Sequence, residues 1–378
     1  MPDLLGCVAD QALIDHHCHG VILRDAGEAD LESMLNEGAG WPGGSVFDSG
    51  AGFAFRRLCP PVLGLPPHTE LPEYVARRAE LGAAEVSKRF LAGTGTSVMC
   101  VDTGFTPEPI TSPAELADLA GATAHEIVRL ERVAEDVAAA GVGAAGFADA
   151  VRSALATRTA TAVGVKSIAA YRTGLDLAPG RPPDAEVAEA AGRWLASQPA
   201  AGPFRLAEQT LQRFLIWCGV DLGLPIQFHV GYGDSDVDLH RCNPLLLTPL
   251  LRATQPAGVP VMLLHNYPFH REAGYLAQVF PHVYVDAGLA THNLGARAPA
   301  LLAEALELTP FGKFLYSSDA WGLPELYYLS AALFRGALSE FLRTGRDQDQ
   351  FSERAMGRVA RMLCADNAKR VYSLADQM

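Results

Sequence analysis

Long apolar runs are missing from this 378-residue chain. No stretch approaches the roughly 18 consecutive apolar residues that a membrane-spanning helix needs, so no membrane partner is expected. The opening segment MPDLLGCVADQ has neither a basic start nor an extended apolar core, which predicts no secretory signal. Cysteine is sparse: seven residues, scattered, none in a Cys-x-x-Cys pair. An odd count at irregular spacing predicts reduced thiols and a cytoplasmic location rather than a disulfide framework. Basic residues are outnumbered, 30 Lys and Arg against 43 Asp and Glu, for a formal net charge of −13. That balance argues against nucleic acid or an anionic membrane surface as the main partner. Internal repeats and low-complexity linkers are also lacking. So is the glycine fingerprint of a dinucleotide site after the first strand. The segment GYGDSD, Gly231–Asp236, has glycines but does not continue into a phosphate-cradling pattern. What is present is a chain that is 49% hydrophobic, ample for a large core. The expected partner is a small-molecule substrate, and a homo-oligomer is left open.

Short β-like runs alternate with longer helical ones. The strand candidates are Leu13–Asp15, Ser97–Asp102, Glu126–Leu130, Ala162–Lys166, Pro225–His229, Val259–His265, Val283–Asp286 and Phe314–Ser318. Helical patterns cover Pro113–Ala120, Gly146–Thr157, Ala185–Ala196, Leu206–Asp221, Pro244–Ala253, Arg271–Phe280 and Arg297–Leu306. Eight strands alternating with helices predict an α/β fold, a (β/α)8 TIM-type barrel, with a doubly wound open sheet as the alternative. The expected organisation is a single domain over 1–378. Residues 20–93, rich in Gly and Pro, form an insertion after strand one. Residues 324–375 form a helical C-terminal tail. The glycine-rich part between Gly38 and Gly52 reads as a lid over the site or as a dimer contact.

In such a barrel, catalytic groups stand at the C-terminal ends of the strands. Strand one, in ALIDHHCHGV, ends in His17 and His19, whose i, i+2 spacing puts both imidazoles on one face with Cys18 turned away. Strand four ends in Lys166, strand five in His229, strand six in His265 and strand eight in Asp319. Each alone has an ordinary structural explanation. Together they fill five of eight strand ends with metal-competent groups aimed at one centre, and imidazole with carboxylate suits zinc, iron or manganese. His16, His240, His270 and His292 are read as outside the metal shell. Arg172 is placed for bidentate capture of a carboxylate, and Arg241 is a weaker candidate of the same kind. Tyr171, Tyr267 and Trp321 are candidates for the pocket wall.

This ordered set resembles the amidohydrolase superfamily of metal-dependent hydrolases. The stretches GVKSIAAYRTGLD, QFHVGYGDSDVDL, LLHNYPFHREAGYLAQVFPHVYVDAGLA and LYSSDAWGLPELYYL are similar to the amidohydrolase-2 group. Within it, they are similar to the amidohydrolase half found fused to glutamine-synthetase-like domains, some of whose relatives hydrolyse γ-glutamyl amides. The resemblance implies a divalent metal, zinc first with manganese or iron as alternatives, in one or two ions. It assigns His17, His19 and Asp319 to the more buried metal. It assigns His229 and His265 to a second metal, or to the substrate and the first. Lys166, if carboxylated, bridges two ions, which is the expected form; as a plain amine it would orient a substrate carboxylate beside one ion. Asp319 and His265 are the implied catalytic residues, Asp319 carrying a proton from the attacking water to the leaving group. The substrate-binding set is Arg172, Tyr171, Arg241 and Trp321. Other members of the group are non-oxidative decarboxylases, so a metal-dependent decarboxylase is the alternative activity. A barrel kept as a binding module is disfavoured because every ligand position is filled.

Overall fold

The computed structural model describes residues 4–38, 40–199 and 202–374. Residue 39 of the glycine-rich segment and residue 375 of the C-terminal tail lie outside them. The chain divides into two compact units, Met1–His125 with Asp286–Met378, and Glu126–Val285. Strands in both pair in parallel, as an α/β fold built of β-helix-β steps requires.

In the first unit, β1 (Leu13–Cys18) pairs with β2 (Thr96–Asp102). All six residues of β1 are buried, as befits a strand covered on both faces. The segment expected as an eighth strand runs beside β1 on its other side. His16 donates its N–H to the Tyr316 carbonyl (3.1 Å), Asp319 to that of His17 (3.0 Å), and His19 to that of Ala320 (2.9 Å). The segment is extended without being a regular strand, and the reason is local. The Ser318 N–H is taken by the Asp15 carboxylate (2.9 Å), not by a ladder carbonyl, and Asp319 adopts a left-handed φ of 51°.

The insertion is far more helical than its Gly and Pro content implies. It holds helices Glu28–Met34, Gly50–Leu58, Leu71–Leu81 and Ala83–Gly93. Its prolines stand where no intrahelical N–H is needed, as at the first turn of Leu71–Leu81. The glycines at Gly50 and Gly295 let two backbones meet: Gly295 has a left-handed φ of 53°, and a Cβ there would fall on the Gly50 carbonyl. The start of helix Gly50–Leu58 is therefore docked backbone to backbone.

The tail contains the 24-residue helix Pro324–Asp347, buried along most of its length. Glu325 in its first turn is fully buried and takes both arms of Arg78, Nε to Oε1 at 2.6 Å and an Nη to Oε2 at 3.1 Å, while Tyr74 donates to Oε1 at 2.8 Å. Removing one partner would strand a charge in a dry core. Arg78→Ala is expected to cost about 3–5 kcal/mol, read as a lower urea midpoint, whereas Arg78→Met combined with Glu325→Leu recovers most of the loss.

In the second unit the Glu126–Arg129 part of β3 (Thr123–Arg129), β4 (Gly164–Ser167), β5 (Ile226–Val230), β6 (Val261–His265) and β7 (Val283–Val285) follow in chain order, each paired to the next. Helices Leu130–Ala139, Phe147–Arg158, Asp184–Ser197, Gln209–Leu222, Thr248–Thr254 and His270–Val279 alternate with them. Seven of the eight expected strands form within a few residues of their predicted limits. The helix Leu130–Ala139 is a feature the sequence pattern did not mark, because it begins on the residue after β3 with no turn residues between. Among the described residues no helix is long and apolar enough to cross a membrane.

Candidate metal centre

The first unit brings three of the predicted ligands together. His17 and His19 face the same way at the end of β1, their rings edge to face at 5.2 Å. Cys18 between them points its thiol at the Cys100 carbonyl instead (3.6 Å). Asp319 Oδ1 lies 3.0 Å from His17 Nε2 and 3.6 Å from His19 Nε2. One ligand atom from each of the three side chains lies within 4.8 Å of the other two.

His19 shows what this triad is built to hold. Its Nδ1 is 3.1 Å from the Asp102 carbonyl oxygen. A carbonyl can only accept, so the ring proton sits on Nδ1 and, in the neutral ring, Nε2 presents a lone pair. That lone pair faces a carboxylate oxygen in a site where the two side chains are only 9% and 11% exposed. Two electron-rich atoms so placed repel unless a cation lies between them. Two imidazoles and one carboxylate, with coordination positions left over, are a donor set suited to a catalytic divalent metal.

The surroundings hold these groups in position. Tyr327 donates its hydroxyl to the His19 carbonyl. Asp15, behind the ligands, accepts from the Ser318 N–H and hydroxyl. Burial pushes its pKa up to about 7, with those hydrogen bonds acting in the opposite direction. His16 alternates away from His17 into a buried network: Nε2 to Asp286 at 2.9 Å, Nδ1 to the Tyr372 hydroxyl at 3.0 Å, with Ser317 donating to the same Asp286 oxygen at 2.6 Å. Trp321 meets Phe105 edge to face at 5.5 Å, and Phe105 meets His19 at 5.7 Å.

The other predicted residues lie in the second unit. Lys166 is 2% exposed, so it does not snorkel to solvent. It stands in register between Arg129 of β3 and Gln227 of β5, and residues at equal register on neighbouring parallel strands share a face. The His229 ring lies 4.5 Å from that of Tyr171 and 4.6 Å from that of His265, tilted by 59° and 51°. His265 has a left-handed φ of 69° and Asn266 one of 65°, strain for residues with side chains. Arg172 ends the short helix Ala169–Arg172 and is 12% exposed, so it is not a surface arginine. It reaches Glu135 at 3.3 Å; burial lowers its pKa, and the Glu135 charge opposes the shift. Arg241 is exposed and donates to the Thr173 carbonyl, where it serves a loop.

Sequence reasoning passed over several groups. Glu131 is fully buried, accepts from Ser167 Oγ (2.8 Å) and the Ile168 N–H (2.9 Å), and so braces the turn that follows Lys166. A charged residue on the apolar face of a helical pattern was its available signal. Arg129 ends β3 in register with Lys166 of β4, and reading strand ends would have reached it had β3 been bounded correctly. His292, read from the sequence as outside the metal shell, is 2% exposed with no partner at Nδ1. Burial pushes its pKa down to about 4, and the one charge acting on it, that of Asp319, works the other way.

A family model described as Amidohydrolase matches residues 95–374. The chain belongs to the amidohydrolase family. It is similar over 99% of its length to a provisionally assigned metal-dependent hydrolase from Lactobacillus casei ATCC 334, at 32% identity and a TM-score of 0.85, covering 98% of that chain. It is 35% identical to the fluG protein of Emericella nidulans over 227 residues, 57% of this chain. That match spans 26% of the relative, so the chain corresponds to about a quarter of it. A uronate isomerase from Bacillus halodurans C-125 shares the fold at 15% identity, with a TM-score of 0.66 and coverage of 98% and 95%. With these neighbours the α/β architecture is the TIM-type barrel fold of amidohydrolases, and the chain is an enzyme of that metal-dependent family.

Proposed function

We propose that this amidohydrolase hydrolyses a C–N amide bond in a small carboxylate-bearing substrate, with γ-glutamyl amides as the favoured class and zinc as the favoured metal. The observation that carries the reading is the His17–His19–Asp319 convergence, with the His19 tautomer set by the Asp102 carbonyl. A divalent cation held there supplies an acidified water and polarises the scissile carbonyl. Asp319 takes the proton from the attacking water and returns it to the leaving nitrogen. Arg172 takes the substrate carboxylate, for which its buried Nε, without a partner, leaves a donor to spare. Trp321 is the candidate wall beside the triad, and Tyr171 the one beside His229.

His229, His265 and a carboxylated Lys166 complete a second metal position in this reading. Arg129, in register with Lys166, supports it: two cations side by side repel, whereas a carboxylated lysine beside a guanidinium is neutralised. The resemblance of the strand-end motifs supports the γ-glutamyl class.

The test incubates metal-loaded enzyme with γ-glutamyl amides, N-acyl amides and aromatic carboxylic acids, following amine and CO₂ together. Amine release with free glutamate or another acid is expected. CO₂ evolution with no amide cleavage would replace the hydrolase reading with a decarboxylase. Two ions per chain, falling to one or none in Lys166→Ala, are expected from elemental analysis, and an intact-mass gain of one carboxyl group under CO₂ would identify the modified lysine.

A further inference from the structure

Among the described residues of the metal-bearing unit, Arg56 Nε, His292 Nδ1 and Trp321 Nε1 are buried without a partner, and the last two are tied to the ligand triad. Leaving such groups unpaired costs a folded protein stability, so each calls for an explanation. Both are tied to the same place. Trp321 stands two residues after Asp319, and its ring reaches His19 through Phe105, edge to face at 5.5 Å and then 5.7 Å. His292 lies on the short helix Gly288–Asn293, where its neighbours are already satisfied: Thr291 donates to the Ala287 carbonyl at 3.0 Å and Asn293 to that of Leu289 at 3.0 Å. His292 alone is left over, within reach of the Asp319 charge. The docked glycines Gly50 and Gly295 hold the backbone just beyond this helix, so the imidazole is carried on a fixed element.

We infer that His292 and Trp321 form a positioning pair that receives an oxygen of the substrate, a carbonyl, carboxylate or hydroxyl oxygen next to the bond under attack. An indole N–H can only donate, which requires an oxygen acceptor, and an imidazole can donate or accept to suit the same group. His292 Nδ1 and Trp321 Nε1 are hydrogen-bonded to none of the triad residues, which leaves both free to act on the substrate. This rests on the metal-dependent hydrolase reading and extends it to the groups that orient the substrate. A site built to hydrogen-bond a substrate oxygen rejects analogues lacking it far more strongly than an apolar wall can, because its own buried groups then go unpaired.

The experiment compares His292→Leu, His292→Asn and Trp321→Phe with wild type in three measurements. The first is thermal stability without substrate. His292→Leu and Trp321→Phe should melt at or above the wild-type temperature, since each removes a buried polar atom that has no partner. The second is kcat/KM on the amide panel. About 10- to 100-fold losses are expected for His292→Leu and Trp321→Phe, with His292→Asn recovering most of the loss because its side-chain amide overlies the Nδ1 position. The third is the affinity of metal-loaded enzyme for L-glutamate and for acetohydroxamate, which should weaken about 10-fold at unchanged metal content. Lower melting temperatures with wild-type kcat/KM or wild-type probe affinity would make both residues packing groups and overturn the inference. If wild type cleaves no amide, the hydrolase reading falls by itself, while melting and probe binding still judge the pair.

Discussion

His17→Ala combined with His19→Ala is expected to strip the protein of its divalent metal and to lower turnover by more than about 10⁴-fold, leaving the fold intact. The activity loss follows from the chemistry a metal supplies: without it the attacking water reverts to the far weaker acidity of bulk solvent, and no side chain in the triad can replace that effect. Survival of the fold follows from the surroundings. His16, not its neighbours, ties β1 to Asp286 and Tyr372, and the β1 backbone is bonded on both sides by β2 and by the segment around Tyr316–Ala320. Deleting two rings that face a carboxylate without a cation even relieves repulsion, offset by the cavity left behind. Metal per chain by elemental analysis is the direct check. Thermal melting adds a second, independent of any substrate: wild type should gain melting temperature with added zinc as the ion binds the folded state, and the double variant should not. Full metal occupancy in the variant would remove His17 and His19 from the ligand set.

Asp319→Asn is expected to lower kcat by about 10²–10⁴-fold with little change in KM. The amide fills the same volume but cannot accept the proton of the attacking water. Asparagine tolerates a left-handed φ about as well as aspartate, so the strained turn at 51° should survive the exchange. That makes it a cleaner test than alanine, which would open space and unsettle the turn. Some loss of metal affinity accompanies the loss of charge, so the rate is read at saturating metal. A variant that keeps more than a tenth of wild-type kcat would show that Asp319 is not the proton carrier.

Much of the architecture was legible in the chain before folding. Helix Pro113–Ala120 starts and stops where the sequence says, since Ser112 and Glu115 form a capping box around Pro113 and Gly121 closes the far end in a left-handed turn. The reading failed where turn chemistry was absent or misleading. Helix Leu130–Ala139 begins directly on β3, and the insertion wears its glycines and prolines at helix ends and close contacts, where they resemble those of a loop. At Gly50 and Gly295 glycine serves a close approach of two backbones, since it permits close packing as readily as motion.

By itself the sequence determined which side chains stand together along one strand. His17 and His19 share a face because β1 repeats every two residues, and that period is a property of neighbouring peptides alone. It also determined that the strand ends carry imidazoles, a lysine and a carboxylate. Only the tertiary structure decided what each polar group does there. His16 is a brace because Asp286, 270 residues later, meets its Nε2; His19 presents a lone pair because a carbonyl 83 residues away takes its proton. Arg172 is held by Glu135, and His292 is left without a partner at Nδ1. Local periodicity is written in adjacent residues, whereas pairing and burial depend on which distant chain segments pack together, and it is pairing and burial that turn a histidine into a ligand or a strut.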